Sequence, residues 1–233
     1  MAARTRATIM AERDGEASLV RLMAWLSPAF PVGAFGYSHG LEQAIAEGRI
    51  HDGDSLLGWL GPLLHHGSAW NDAVLLKAAF EAADDAALDD IANLALALCP
   101  SAERLRETRD QGSAFLTAAG VWAEAAGVAP PACTDLPYPV AVGAEVRRAG
   151  LPLGAALAAY LHAFTANLTV IAVRAVPLGQ TAGVLVLAWL EPLVLAAADR
   201  AARSTPDNLG GAALISDIMS LRHETLRTRI FVT

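Results

Sequence analysis

Between Arg148 and Arg174 the sequence contains no Asp, Glu, Lys or Arg, and a charge-free stretch of that length is long enough for a helix to cross a bilayer. Its composition points elsewhere. The run holds Pro152, Tyr160, His162, Thr165, Asn167 and Thr169, and much of the rest is Ala. Polar side chains along such a helix need partners that lipid does not supply. The next apolar run is cut by Glu191 and Pro192. Both runs therefore read as buried core helices of a soluble protein, with an integral membrane protein as the competing reading.

Periodicity near 3.6 dominates the remainder, and nothing before the last dozen or so residues alternates like a strand. The fold class that follows is all-α, a single-domain antiparallel helical bundle. With 233 residues, 54% hydrophobic and a mean hydropathy of +0.38, the chain has ample apolar surface for such a core. The clearest helix spans Ser101 to Ala125, where Leu105, Thr108, Gly112, Phe115, Ala119 and Trp122 recur at steps of three and four. Asp54 is the expected N-cap of "SLLGWLGPLL", and the pairs Asp84/Asp85 and Asp89/Asp90 are expected at helix starts. Pro100 and Pro152 mark boundaries, and the prolines of "GVAPPACTDLPYP" make residues 127–139 a loop across the bundle. The expected organisation is an N-terminal tail over residues 1–16, a helical domain over 17–220 and a C-terminal partner-binding tail over 221–233.

Several chemistries are disfavoured by what the chain lacks. A phosphate-binding loop needs a lysine after glycines, and the single lysine, Lys77, follows "NDAVLL". "GAFG" does not match a dinucleotide fingerprint, and no serine sits in a GxSxG elbow. Cys99 and Cys133 lie far apart with no CxxC, which suggests a reducing, cytoplasmic setting and no zinc site. Twenty-four acidic against 17 basic residues give a net charge of -7, which argues against nucleic acid as a partner. "MAARTRATIMAERDGEAS" has no continuous apolar core and does not read as a secretory signal. His65 and His66 are adjacent, so their rings diverge by about 100° on a helix and make no chelating pair. His162 and Asn167 read as a hydrogen-bonded core pair. No cofactor or metal ligand set is expected.

Two segments stand apart. In "SPAFPVGAFGYSHGLE", residues 27–42, Pro28 and Pro31 stop a helix and Gly33 and Gly36 permit unusual backbone angles. Ser38 can then cap the helix that Leu41 continues, with Glu42 in its first turn. Phe30, Phe35 and Tyr37 remain to pack or to protrude. The C-terminal "SLRHETLRTRIFVT" carries three arginines against one acid on an otherwise acidic chain. Its end alternates, with Leu226, Thr228, Ile230 and Val232 on one side of an extended chain and Arg227, Arg229 and Phe231 on the other. Such a segment is either a frayed terminus or a peptide that orders on binding.

Both segments resemble signatures of one family. "SPAFPVGAFGYSHGLE" looks like the N-terminal signature of the urease accessory protein UreF family, and "SLRHETLRTRIF" like its C-terminal Arg-His-Glu-Thr signature. "RETRDQGSAFL" and "LAAYLHAFTANLTVIAVRAVPLGQT" are similar to its middle and central helices. Gly36-Tyr37 departs from a frequent Ser or Thr followed by His, and Leu226-Arg227 from a common Gln-Tyr pair. The resemblance implies an all-helical, noncatalytic maturation factor that forms a homodimer and binds a second accessory protein, D/H. Together they would recruit the GTPase accessory protein G and deliver nickel to apo-urease in the cytoplasm, without membrane attachment. In the family the C-terminal segment is understood to order when D/H binds. The expected partner interface comprises Pro31, Gly33, Phe35, Tyr37, His39, Glu42, Arg222, His223, Glu224, Thr225, Arg229 and Phe231. The competing readings are a small helical enzyme using His223 and Glu224 or His39 as acid and base, and a nickel carrier using its histidines.

Overall fold

The computed structural model describes residues 15–131 and 133–233. Residues 1–14 of the expected N-terminal tail lie outside that range, while Gly15 and Glu16 already belong to the first helix, α1 (15–25). The described residues are all-α and contain no strand. After α1 come α2 (Leu41–Ala46), α3 (Gly53–His66), α4 (Ser68–Glu81), α5 (Asp85–Ala97) and α6 (Ala102–Ala125). The chain continues with α7 (Tyr138–Arg148), α8 (Leu153–Ala175), α9 (Gly179–Ala202) and α10 (Leu214–His223).

Local chemistry sets the helix ends, in places one turn from where the spacing puts them. Asp52, rather than Asp54, caps α3: it accepts from Ser55 N at 2.8 Å, and the Ser55 hydroxyl returns the favour to the Asp52 backbone. That reciprocal box satisfies two otherwise orphaned N–H groups, so it prevails over a cap two residues later. Asp84 caps α5 through Ala87 N and Ser101 caps α6 through Arg104 N. Asp89 and Asp90 do not begin a helix; they lie inside α5 on its exposed side. Of the prolines in residues 127–139, Pro139 sits in the first turn of α7, where its missing N–H has no intrahelical acceptor to lose.

Helix α4 lies at the centre, touching α3, α5, α7, α8 and α9. Close approach depends on glycine at two crossings. A Cβ at Gly143 of α7 would collide with the Leu76 carbonyl of α4, and one at Gly112 of α6 with the Leu136 carbonyl. The core fills with Leu56, Leu60 and Leu64 of α3, Leu76 of α4, and Leu157, Leu161 and Leu168 of α8, each fully buried. Each such side chain contributes roughly 2 kcal/mol of transfer free energy.

The charge-free run forms α8, which α2, α3, α4 and α9 cover, as a core helix requires. Both α8 and α9 are long and apolar enough to span a membrane by length and composition. Yet α9 is covered on one side only: Val184, Leu185, Trp189 and Leu195 are exposed. The expected His162–Asn167 pair does not form. His162 is exposed, and Asn167 donates to Ala34 O at 2.9 Å, an elbow carbonyl that also accepts from Tyr37 N.

Gly143→Ala is expected to destabilise the protein by about 2 kcal/mol by forcing α7 off α4. Thermal unfolding followed by circular dichroism reads the change, and an unaltered midpoint would contradict this packing.

Candidate functional site: the elbow and the docked tail

The elbow between α1 and α2 is built from backbone angles that few residues tolerate. Gly33 (φ 73°) and Gly40 (φ 75°) occupy the left-handed region. So does His39 (φ 54°), which lacks that freedom and is held there by its neighbours. A Cβ on Gly40 would lie 2.6 Å from Ser220 N, so α10 packs directly on the elbow. Gly40, not Ser38, holds the N-cap position of α2, although the Ser38 hydroxyl still accepts from Glu42 N at 3.2 Å. Phe30 packs on Phe115 (5.5 Å between centroids), beside Trp25 on the same ring (5.7 Å), whereas Phe35 is 66% exposed.

The C-terminal residues lie in this elbow. Val232 N donates to Gly36 O (2.7 Å) and Ser38 N to Thr233 O (2.8 Å), while the Ser38 hydroxyl also contacts Thr233 O. The tail runs through turns and bends without regular secondary structure, and its last residues alternate in burial. Phe231 and Thr233 point inward, and Ile230 and Val232 outward. The cause is the floor beneath: Glu42 accepts both Ile230 N (2.7 Å) and Phe231 N (3.1 Å), and Arg174 covers the Phe231 ring at 5.6 Å.

Two carboxylates then grip one imidazole. His223 is completely buried, with Nε2 2.9 Å from Glu42 and Nδ1 2.7 Å from Glu103. Both ring nitrogens thus face carboxylate oxygens, one from the elbow helix and one from α6. Arg229 pairs with the other Glu103 oxygen at 2.7 Å. Arg222 pairs with Glu47 at 2.8 Å, and hydrogen bonds from Gln43, Arg222 and Arg49 hold the Glu47 carboxyl down at about 2. Glu224 turns away from His223 and accepts from Ala102 N (2.9 Å) at the start of α6. Ser220 and Ser101 join their hydroxyls at 2.7 Å.

Below the elbow lies a second charged group. Glu107 takes Arg104, His39 Nε2 (2.8 Å), Gln111 (3.0 Å) and the Thr233 hydroxyl (3.1 Å). Burial alone would raise the Glu107 carboxyl, but the Arg104 charge and the His39 contact bring it down to about 2. Burial, and then Arg104, push His39 below the usual imidazole range, which keeps it neutral. Its Nδ1 has no hydrogen-bond partner among the described residues.

His39 also lines a cavity of about 460 Å³ behind the elbow, with Asp72, Tyr138 and Tyr160 on the floor and Leu22 and Leu26 of α1 in the wall. Burial lifts the Asp72 carboxyl to about 6 against the opposing pull of Arg104, and Tyr160 donates to it at 3.1 Å.

The structure thus brings the two predicted segments together. Of the expected interface residues, Pro31, Phe35, Arg222, Glu224, Thr225 and Arg229 are exposed, Gly33 and Tyr37 are half-buried, and His39, Glu42, His223 and Phe231 are buried. His223 and Glu224 diverge, so they do not form the acid–base pair of the competing enzyme reading. Among the described residues, no group of three or more His, Cys, Asp or Glu could hold a metal ion. Glu103, Arg104 and Glu107 are missing from the expected set. Their signal was their own spacing on α6, which puts charges at 104 and 107 on the buried side with Thr108 and Phe115.

The described residues thus form an all-α body whose elbow is closed by its own C-terminal segment. Comparison with known proteins gives the family. The family model UreF matches residues 50–191. The protein named urease accessory protein UreF from Agrobacterium fabrum is 48% identical over 223 residues, 95% of this chain and 99% of the relative. Those of the same name from Rhodopseudomonas palustris strain HaA2 and Mesorhizobium japonicum are 52% identical over 221 residues and 48% over 223. These cover 92% and 95% of this chain, and 93% and 99% of the relatives. The chain belongs to the UreF family.

Asp72→Asn is expected to raise stability by roughly 3 kcal/mol above pH 7 and to leave it unchanged near pH 3. The unfolded Asp72 ionises near 3.8 but the folded one near 6, so the native state is penalised as pH rises through that window and stays penalised above it. Urea unfolding of both proteins at the two pH values checks the sign, and equal stabilities at pH 8 would contradict it.

Proposed function

We propose that this protein is a noncatalytic urease maturation factor. It binds a second accessory protein, D/H, and with it recruits the GTPase accessory protein G to apo-urease for nickel delivery in the cytoplasm. Nickel is cargo of the assembly rather than a resident ligand of this chain. The names and near full-length identity of the relatives support the maturation role. The observation that carries the scaffold reading is the convergence of elbow and tail. A backbone locked at Gly33, His39 and Gly40 presents Phe35 and the exposed arginines of the tail with little entropy left to lose on binding. Arginine is suited to bidentate contacts with carboxylates, so the D/H surface would be acidic where Arg222 and Arg229 meet it.

The uncovered face of α9 suits self-association. Val184, Leu185, Trp189 and Leu195 are 66%, 46%, 46% and 52% exposed on a long apolar helix, and homodimer interfaces are enriched in such surface. Residues 17–220 serve as one helical domain and 221–233 as its partner-binding segment.

Removing residues 221–233 is expected to abolish co-purification with D/H and activation of apo-urease in a reconstituted system, while the helical circular dichroism signal persists. Undiminished co-purification would overturn the assignment. Trp189→Glu is expected to shift the protein from dimer to monomer in sedimentation; a monomeric wild type, or a dimer that survives the substitution, would remove α9 as the self-association face.

A further inference from the structure

The cavity behind the elbow owes its shape to the sequence of α8. Ala155, Ala159, Ala163 and Ala166 recur at steps of three and four, which puts them on one face of that helix. All four line the cavity, together with Leu22 and Leu26 of α1. One-carbon side chains reach too short a way to close the gap to α1, and about 460 Å³ lies between the two helices. Leu19 and Met23 of α1 and Val170 of α8 also line it and are exposed, so the cavity opens to solvent along this edge. A volume of this size, with a mostly apolar wall and a few polar groups at one end, is the usual form of a small-molecule site.

The polar end selects the charge of its ligand. Two carboxylates, Asp72 and Glu107, stand there against one guanidinium, Arg104, and Arg104 pairs with Glu107. His39 is held neutral, with its Nε2 on Glu107. Asp72 is left over. It forms no ion pair among the described residues, and its carboxyl accepts only from the Tyr160 hydroxyl, at 3.1 Å. With its pKa lifted to about 6, it is nonetheless ionised at neutral pH. One negative charge therefore faces an apolar cavity, which is costly until a cation reaches it. The Tyr138 and Tyr160 rings, 5.5 Å apart between centroids, line the same end, and the Tyr138 hydroxyl has no hydrogen bond among the described residues. A carboxylate beside aromatic rings suits an organic ammonium, which gains from both.

We propose that the cavity between α1 and α8 is a binding site for a small organic ammonium ion, with the ammonium against Asp72, Tyr138 and Tyr160 and the hydrocarbon body along the alanine face of α8. The site is separate from the maturation role proposed above and does not rest on it. Ligand binding there joins α1 to α8 through the body of the ligand, where their own side chains do not meet.

Titration calorimetry on the isolated full-length protein at neutral pH tests the site with octylamine, octan-1-ol and octanoate, which share one body and differ in the charge of the head. Octylamine is expected to bind one to one with a dissociation constant on the order of 100 µM, octan-1-ol about ten-fold more weakly or worse, and octanoate not measurably. Asp72→Asn, which relieves a buried charge and so stays folded, is expected to weaken octylamine about ten-fold and bring it level with octan-1-ol. Ala163→Leu, which fills part of the cavity, is expected to remove binding of both while the helical circular dichroism signal persists. Absence of octylamine binding, or equal affinity for octylamine and octan-1-ol in the wild type, would overturn the ammonium site. So would an unchanged octylamine affinity in Asp72→Asn, which decides the matter even where Ala163→Leu does not fold. Unaltered binding in a folded Ala163→Leu would overturn the cavity as its location. Displacement of octylamine by micromolar nickel chloride would make Asp72 a metal ligand and overturn the organic cation.

Discussion

Glu107 is the side chain on which the elbow, α6 and the tail converge. It is almost fully buried, and a buried carboxylate is tolerated only when charge and hydrogen bonds replace its lost water. Arg104 supplies the charge one turn away, and His39, Gln111 and Thr233 supply hydrogen bonds from the elbow, the same helix and the tail. An ion pair of this kind adds little stability over a well-packed apolar pair, but losing one member typically costs 3–5 kcal/mol. The consequence is specificity of arrangement rather than strength. The left-handed backbone of His39 makes sense in that light, since its strain is offset by a carboxylate that accepts from no other position of the elbow.

Much of the fold was legible because one physical signal, helical spacing of apolar residues, governs nearly every element. The stripe on α6 and the proline at the start of α8 could be read directly, and the uncharged run could be recognised as core because its Thr and Asn side chains need partners. Helix ends were harder. Asp52 prevails over Asp54 through a reciprocal bond with Ser55, and a single residue type cannot reveal which of two nearby carboxylates completes such a box. Asp89 and Asp90 show the complementary error: acidic pairs favour helix starts, yet the exposed side of α5 accommodates them equally well.

The site was legible in part. The elbow and the tail stand out by composition, and their residues do meet. What composition could not supply was the floor between them. Glu103, Arg104 and Glu107 sit on a helix whose pattern suggests an apolar inner stripe, and Leu105 is only partly buried while two charges look in. Only contacts across about 120 residues of sequence explain why charged groups occupy that side. The facing of the tail has the same origin. Alternation specifies that two sides differ, but the Glu42 oxygens select which side is inward by taking the amides of Ile230 and Phe231.

The family model and the relatives weigh differently on these conclusions. The model spans residues 50–191, which holds α3 to α8 and half of α9 but neither the elbow nor the tail. It therefore speaks for the helical body. The relatives share about half of their residues with this chain over more than nine-tenths of its length. A body shared in this way provides the frame, and Gly143 and Gly112 bring its helices within the distance at which α6 can hold two buried charges in register with the elbow. On the function proposed above, a few backbone angles and carboxylates at one end of that frame would set the surface a partner meets, because rings and arginines on a restricted backbone have little freedom left to lose.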